Sequence, residues 1–228
     1  KYVHSTSRGH EAIQLATAYH LLACDYVSPY SRDESILLAI GFTPYQLMLH
    51  LLAKADDPFT GGREYYSHPN NTESDKPRII QQSSATGMQA IPTTGIAQGL
   101  KFLHEINSPL YKTGPKSEAP LVICSLSDAS VTEGEVSEAF QFAALHQLPI
   151  IFLVQDNDWG ISVTSGEART NNAFEFIKGF TGIESTQVDG SDFLASYETL
   201  RSVCNDVRTH QRPWLIHAKV PLLGHHTS

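Results

Sequence analysis

Leu121-Val122-Ile123-Cys124-Ser125-Leu126 and Ile150-Ile151-Phe152-Leu153-Val154 decide the reading of this chain. Both are short apolar runs rich in β-branched residues, the pattern of a strand buried on both faces. Between them Val136, Ala139, Phe140, Ala143 and Ala144 recur at helical spacing, and Leu148-Pro149 breaks that helix. Strand, helix and strand make one βαβ unit. Its right-handed crossover sets the strands side by side and parallel, with both carboxyl ends on one edge of the sheet.

Just past the first strand stands Ser127-Asp128-Ala129, and just past the second stands Asp156-Asn157-Asp158-Trp159-Gly160. Asp128 and Asn157 are far apart in sequence, yet this topology brings their oxygens within reach of one small ion. Open α/β sheets bind ligands at that edge. A carboxylate, a side-chain amide and a main-chain carbonyl are hard oxygen donors suited to Mg²⁺, which completes its shell with phosphate or water. A helix beginning near Thr132-Glu133-Gly134 turns its free N–H groups to the same place, which favours phosphate. These residues alone leave two readings open: a Mg²⁺–phosphate site, or a helix-capping Asp128 beside an ordinary turn at Asn157. The carrier of the phosphate is not identified by them.

Working outward, the first part of the chain reads as helical. Ala12, Leu15, Ala16 and Tyr19 mark a helix over 11–23, Asp33–Ala39 a second, and Thr43-Pro44 an N-cap and first-turn proline for a third over 45–55. Residues 56–77 carry turn chemistry throughout, and 108–120 form a polar loop. Later, 186–188 and 214–220 read as strands, with Ser191 capping a helix that turns Phe193, Leu194, Tyr197, Leu200 and Cys204 inward. The fold class expected is α/β, a mostly parallel sheet with helices on both faces.

The chain has 228 residues, 41% hydrophobic and 18% charged, with 16 basic against 24 acidic side chains. That length buries a full core, and the acidic balance argues against nucleic acid or anionic lipid as the main partner. The longest apolar runs fall far short of the ~20 residues needed to cross a bilayer. Cys24, Cys124 and Cys204 are odd in number and far apart, which reads as reduced structural cysteine inside a cell. Opening on Lys1 and ending at Ser228, the chain reads as one domain, 1–228, within a longer polypeptide.

Glu133-Gly134-Glu135, Glu138-Ala139-Phe140-Gln141-Phe142-Ala143-Ala144 and Asp156 through Ser162, taken with Ser127-Asp128-Ala129, resemble the thiamine diphosphate motif, which opens with Gly-Asp-Gly and closes with Asn-Asn. Gly9-His10-Glu11-Ala12, Pro29-Tyr30-Ser31-Arg32-Asp33, Gly61-Gly62-Arg63, Ser83-Ser84-Ala85-Thr86-Gly87, Val188-Asp189-Gly190 and Gly224-His225-His226 fall in order around it. The ordered set is similar to the alpha subunit of the decarboxylating component of 2-oxo acid dehydrogenase complexes, nearest the branched-chain type. It covers nearly the whole chain and implies the three-layer thiamine diphosphate-binding fold.

By that resemblance Asp128, Asn157 and the carbonyl of Trp159 would hold Mg²⁺ on the cofactor diphosphate. Ala129, Ser130, Gly160 and Ile161 would lend backbone contacts, and Arg32 would meet the diphosphate with its planar donor fork. Ser84 and Thr86 would flank the aminopyrimidine. Ser84 and His226 would be the catalytic residues, His226 standing near the reacting carbon and able to bind phosphate or substrate and to pass a proton. Gln155 joins the cofactor set at a position where the branched-chain type often carries arginine. Other departures are Ser127 and Ala129 for the two glycines, and Ser31 for a tyrosine.

The resemblance also implies a reaction: oxidative decarboxylation of a 2-oxo acid, branched-chain preferred, with the acyl group passed to a lipoyl-bearing acyltransferase. It implies a beta subunit or fused beta domain that supplies the activating glutamate, in an alpha2beta2 assembly. The location expected is cytoplasmic, or the mitochondrial matrix in a eukaryote. Pyruvate or acetoin as substrate, and a non-catalytic scaffold that keeps the fold, remain the alternatives.

Overall fold

Alternation along the two central strands divides the molecule into layers. Val122, Cys124 and Leu126, with Ile150, Phe152 and Val154, enter one core, while Leu121, Ile123, Ile151 and Leu153 enter the other. A strand apolar on both faces needs cover on both faces, and the chain supplies it.

The computed structural model describes residues 4–64, 66–80 and 83–227. In chain order the elements are α1 (Glu11–Tyr19), β1 (Tyr26–Ser28), α2 (Glu34–Ala39), α3 (Pro44–Leu51), α4 (Ala90–Glu105) and β2 (Val122–Ser127). A 3₁₀ turn (Asp128–Ser130) leads to α5 (Gly134–His146), β3 (Ile150–Asp156), β4 (Trp159–Gly160) and β5 (Val163–Thr164). Then come α6 (Ser165–Ala168), α7 (Ala173–Ile177), β6 (Glu184–Asp189), α8 (Phe193–His210) and β7 (Trp214–Lys219). The main sheet is wholly parallel in the order β1-β2-β3-β7-β6, and β4 and β5 form a separate antiparallel pair.

One core lies between the sheet and α4, α5 and α7, the other between the sheet and α1 and α8. In the first, Phe140 of α5 meets Phe152 of β3 edge-on, ring centres 4.8 Å apart. Truncating such a ring to alanine typically costs about 3–5 kcal/mol. The second face is tied by Arg208 of α8, which donates to both carboxylate oxygens of buried Asp25 at 2.8 and 2.6 Å.

Several elements depart from the sequence expectation. The first helix ends at Tyr19, four residues early, and α4 lies where the sequence pattern predicts no element. The cap of α8 is Asp192 and not Ser191: the Asp192 carboxylate accepts from the N–H of Ala195 at 3.0 Å. Thr43 does cap α3, with Gln46 completing a capping box and Pro44 in the first turn. The three cysteines are free and buried, and burial pushes the Cys124 and Cys204 thiols up to about 12, so they pack rather than react. Among the described residues no helix is long and apolar enough to cross a membrane. Ser228 lies outside the described residues.

Candidate functional site at the carboxyl edge of the sheet

Register builds the site. Ser127 of β2 pairs with Gln155 of β3, so Asp128 and Asp156 leave neighbouring strand ends together. Asp128 is buried. Its Oδ2 accepts from the guanidinium of Arg169, and its Oδ1 is buried without a partner. Burial raises the Asp128 carboxyl above the usual carboxylate range, the charge of Asp156 adds to that, and Arg169 opposes it. Asn157 Oδ1 accepts from the Trp159 N–H at 3.1 Å. The Trp159 carbonyl accepts from Nε2 of His226 at 3.0 Å.

Beside these groups lies a cavity of about 360 Å³. Arg32, Ser84, Thr86, Ala129, Gly160, Ile161 and His226 all line it, from five separate stretches of chain, and Ser31 joins them. Asp128 stands between two lining residues, Ser127 and Ala129. Asn157 is buried behind the wall, and Ser130 is buried with its hydroxyl donated to the Ser127 carbonyl at 2.7 Å. Gln155 is not on the wall. Its side chain turns away into a buried knot with Asp33, Ser125, Gln14 and His10, so the contact expected of it with a cofactor is corrected.

Seven buried side-chain polar atoms lack a hydrogen-bond partner among the described residues, and four belong to this one place. They are Arg32 Nε, Ser127 Oγ, Asp128 Oδ1 and His226 Nδ1. Such orphans cost about 1–3 kcal/mol each, so their gathering at one cavity calls for a ligand. An unpaired guanidinium N–H asks for an anion and an unpaired carboxylate oxygen for a cation. Arg32 is nearly inaccessible, and among the described residues the hydrogen bond its guanidinium makes is a long one, to the Thr6 carbonyl at 3.5 Å.

The side chain at Ala129, where the motif has glycine, is accommodated by Gly160 opposite. A Cβ on Gly160 would lie 3.1 Å from the Ala129 methyl. Helix α5 begins beyond the turn without a side-chain cap, as an anion-facing helix end would. His226 is half-buried, and burial, with help from the charge of Arg32, pushes its imidazole down to about 4. With Nε2–H donated to Trp159, its Nδ1 is a bare acceptor.

Arg169 is the site residue that no motif indicated. It follows α6, and its side chain is almost wholly buried against Asp128. A second, larger cavity of about 780 Å³ lies on its other side, at the ends of β3, β7 and β6. There Asp156 accepts from His217 Nε2 at 2.8 Å and from Lys219 at 3.3 Å, and Gln187 meets His217 Nδ1 at 3.1 Å. Among the described residues no buried side-chain nitrogen or oxygen of its lining lacks a hydrogen-bond partner.

Comparison with known proteins identifies the family and the fold. A family model described as dehydrogenase E1 component matches residues 2–228. The chain is 31% identical to the 2-oxoisovalerate dehydrogenase subunit alpha of Bacillus subtilis, over 97% of this chain and 62% of that protein. It is 30% identical to the mitochondrial 2-oxoisovalerate dehydrogenase subunit alpha 1 of Arabidopsis thaliana, over 98% and 44%. It is also 30% identical to the pyruvate dehydrogenase E1 component subunit alpha of Bacillus subtilis, over 98% and 53%. The chain thus spans about half the length of these relatives. Among solved structures, a transketolase of Pichia stipitis superposes with a TM-score of 0.64 at 18% identity, covering 97% of this chain and 37% of that one. The transketolase of Campylobacter jejuni gives 0.59 at 17%, covering 94% and 37%. These two likenesses speak to the fold alone, and the fold is the three-layer one expected. The chain belongs to the dehydrogenase E1 component family.

Proposed function

We propose that this chain holds the diphosphate and Mg²⁺ end of thiamine diphosphate in a 2-oxo acid dehydrogenase, and that the whole protein decarboxylates a branched-chain 2-oxo acid and passes the acyl group to lipoyl. The observation that carries the proposal is an unsatisfied buried cation donor, Arg32 Nε, on the wall of one cavity, and an unsatisfied buried carboxylate oxygen, Asp128 Oδ1, on the residue between two others of that wall, Ser127 and Ala129.

The residues fit the group. Asp128 Oδ1, Asn157 Oδ1 and the Trp159 carbonyl would offer Mg²⁺ the hard oxygen ligands it takes. Arg32 and the uncapped start of α5 would hold the phosphate oxygens, Ala129 and Ser130 would add backbone contacts, and Gly160 and Ile161 would close the loop above them. When bound, the cofactor supplies the electron sink for loss of CO₂. The chain's own part is to bind, orient and exclude water. Ser84 and Thr86 would flank the ring end, and His226 Nδ1, neutral at physiological pH, would accept a proton or a hydrogen bond from substrate. The activating glutamate would come from a beta subunit or fused beta domain, in an alpha2beta2 assembly that docks a lipoyl-bearing acyltransferase.

Calorimetric titration of the complete complex with thiamine diphosphate and Mg²⁺ tests the reading. Metal-dependent binding is expected, and none would leave a non-catalytic scaffold. Pyruvate is the second substrate reading, because the Bacillus subtilis pyruvate relative is as similar as the branched-chain ones. Turnover of 2-oxoisovalerate against pyruvate decides it, and a clear pyruvate preference overturns the branched-chain assignment.

A further inference from the structure

Gln155 stands at the centre of a buried polar knot that the site does not otherwise explain. Its Oε1 accepts from Gln14 Nε2 at 2.8 Å and from His10 Nδ1 at 2.9 Å, and its Nε2 donates to Asp33 Oδ1 at 2.6 Å and Ser125 Oγ at 2.9 Å. That is the full hydrogen-bonding capacity of a glutamine amide. His10, Gln14, Asp33, Ser125 and Gln155 are all essentially inaccessible to solvent.

The orientation of every group in the knot follows from two backbone atoms. Gln14 donates through Nε2 to the Arg32 carbonyl at 2.9 Å and accepts through Oε1 from the Ser35 N–H at 3.2 Å. A carbonyl can only accept and an N–H can only donate, so the Gln14 amide cannot be flipped. Its Nε2 is therefore a donor toward Gln155, and the Gln155 atom facing it is the oxygen. That same oxygen faces His10 Nδ1, so Nδ1 carries the ring proton. In the neutral imidazole Nε2 is then bare. Nε2 lies 3.4 Å from Asn157 Nδ2, which must be the donor. The amide of Asn157 is thereby held with nitrogen toward His10, the same orientation that the Trp159 N–H, donating to Oδ1 at 3.1 Å, requires from the other side.

We infer that His10 is a positioning residue for the metal end of the site: through a tautomer dictated by Gln155 and Gln14, it holds the Asn157 amide from the nitrogen side, leaving the oxygen, which accepts from the Trp159 N–H, one lone pair for a divalent cation. The inference rests on the proposed function and deepens it. The backbone secures the device at both ends. Gly9, at φ +92°, brings His10 in where a Cβ would lie 2.3 Å from the Pro221 carbonyl oxygen, so no other residue fits before it. At the other end, Gln14 grips the main chain of Arg32 itself, so the metal-side amide and the phosphate-side arginine share one buried knot. Gln155 is a neutral coupler, accepting from Gln14 and His10 and donating to Asp33 and Ser125. An arginine in its place has no acceptor to offer either Gln14 or His10. Partners that orient first-sphere ligands in this way are typically worth about 10–100-fold in metal affinity.

The test compares the full-length complex with His10→Phe and His10→Gln. Mg²⁺ is titrated calorimetrically at saturating thiamine diphosphate, and the thermal midpoint of the unloaded complex is measured alongside. The expected result is that His10→Phe, with no acceptor for Asn157, weakens Mg²⁺ by about 10–100-fold. His10→Gln, whose Oε1 can reach the place of Nε2, should restore most of that at a similar midpoint. Unchanged Mg²⁺ affinity in His10→Phe overturns the inference, as does a loss that His10→Gln fails to restore. A wild-type complex that binds neither Mg²⁺ nor cofactor overturns the proposed function instead. Should His10→Phe not assemble, nitrogen NMR of the histidine-labelled wild-type complex reads the same deduction. A His10 ring protonated at Nδ1 supports it, and one protonated at Nε2 overturns it.

Discussion

Two cavities open along the carboxyl edge of one sheet, and they differ in the opposite sense to their size. The larger, about 780 Å³, lies beyond β3, β7 and β6, where the strand order turns back on itself. Size and strand order both nominate it, since open α/β sheets bind ligands where their order reverses. The smaller, about 360 Å³, lies beyond β2 and β3. Yet among the described residues the buried side-chain nitrogens and oxygens of the larger cavity are all paired, whereas on the wall of the smaller or next to it lie an arginine nitrogen, a serine hydroxyl, a carboxylate oxygen and an imidazole nitrogen with no partner. The difference teaches that a site is better located by unmet hydrogen-bonding demand than by room. Arg169, lining the larger cavity and clamped on Asp128 of the smaller, is the wall between them.

The strongest way to break this comparison is at Asp128. Asp128→Ala removes the one unpaired buried carboxylate oxygen among the described residues, and it should abolish the Mg²⁺-dependent part of cofactor binding in a calorimetric titration. Wild-type affinity in that variant would refute the metal assignment. Next is Arg32→Leu, which removes the unpaired donor. A charge-assisted bond to phosphate is worth about 1.5–3 kcal/mol, so cofactor affinity should fall by about 10–100-fold. A change smaller than threefold in the fitted constant would place the diphosphate elsewhere.

How far the sequence foretold this follows the range of the interactions. The two central strands and the polar residues at their ends are legible because a strand buried on both faces must be written in apolar residues, whatever surrounds it. Helix α4 is not legible. Pro92, Thr93, Thr94, Gly95 and Gly99 are weak helix formers, and the helix exists because Ala90, Ala97 and Leu100 pack into the core with β2 and α5. Arg32 and Asp128 are visible as motif residues, but their lack of partners is a three-dimensional property. Gln155 is visible only as a departure from a motif, because its partners lie 122, 30, 141 and 145 positions away. Arg169 gives no signal at all, since nothing near it in sequence announces a carboxylate 41 positions earlier.

Asp57 sharpens the comparison from the opposite side, as a buried carboxylate whose demand is met in full. It accepts from His50 Nδ1 at 3.0 Å, from the N–H groups of Phe59, Thr60 and Gly62, and from the Thr60 hydroxyl at 2.8 Å. Burial alone would raise its pKa. The His50 bond and the backbone donors outweigh burial and hold it at about 2. Against an ordinary value of about 3.9, that contributes about 2–3 kcal/mol of stability. The contribution is complete above about pH 4 and is lost as pH falls toward 2. Asp57→Asn should therefore cost about 2–3 kcal/mol in denaturant unfolding at neutral pH, with the gap to wild type narrowing below about pH 4. A gap that stayed constant with pH would show that the bonds, and not the charge, hold the 56–77 loop.

The smallest expected effect tests the larger cavity directly. Lys219 lies 3.3 Å from both Asp156 and Asp158 and is half exposed, and Asp156 keeps His217 as its principal partner without it. An exposed ion pair is worth about 0.2–1 kcal/mol, so Lys219→Met should shift stability by no more than that. It should leave the titration of thiamine diphosphate and Mg²⁺ where it was. The variant removes a cation from the roomier cavity and leaves every unpaired atom of the smaller one in place. If cofactor affinity nevertheless fell as it should in Arg32→Leu, phosphate would be held by the lysine side of the edge. Arg169 would then be a shared ligand of both cavities rather than the wall that separates them.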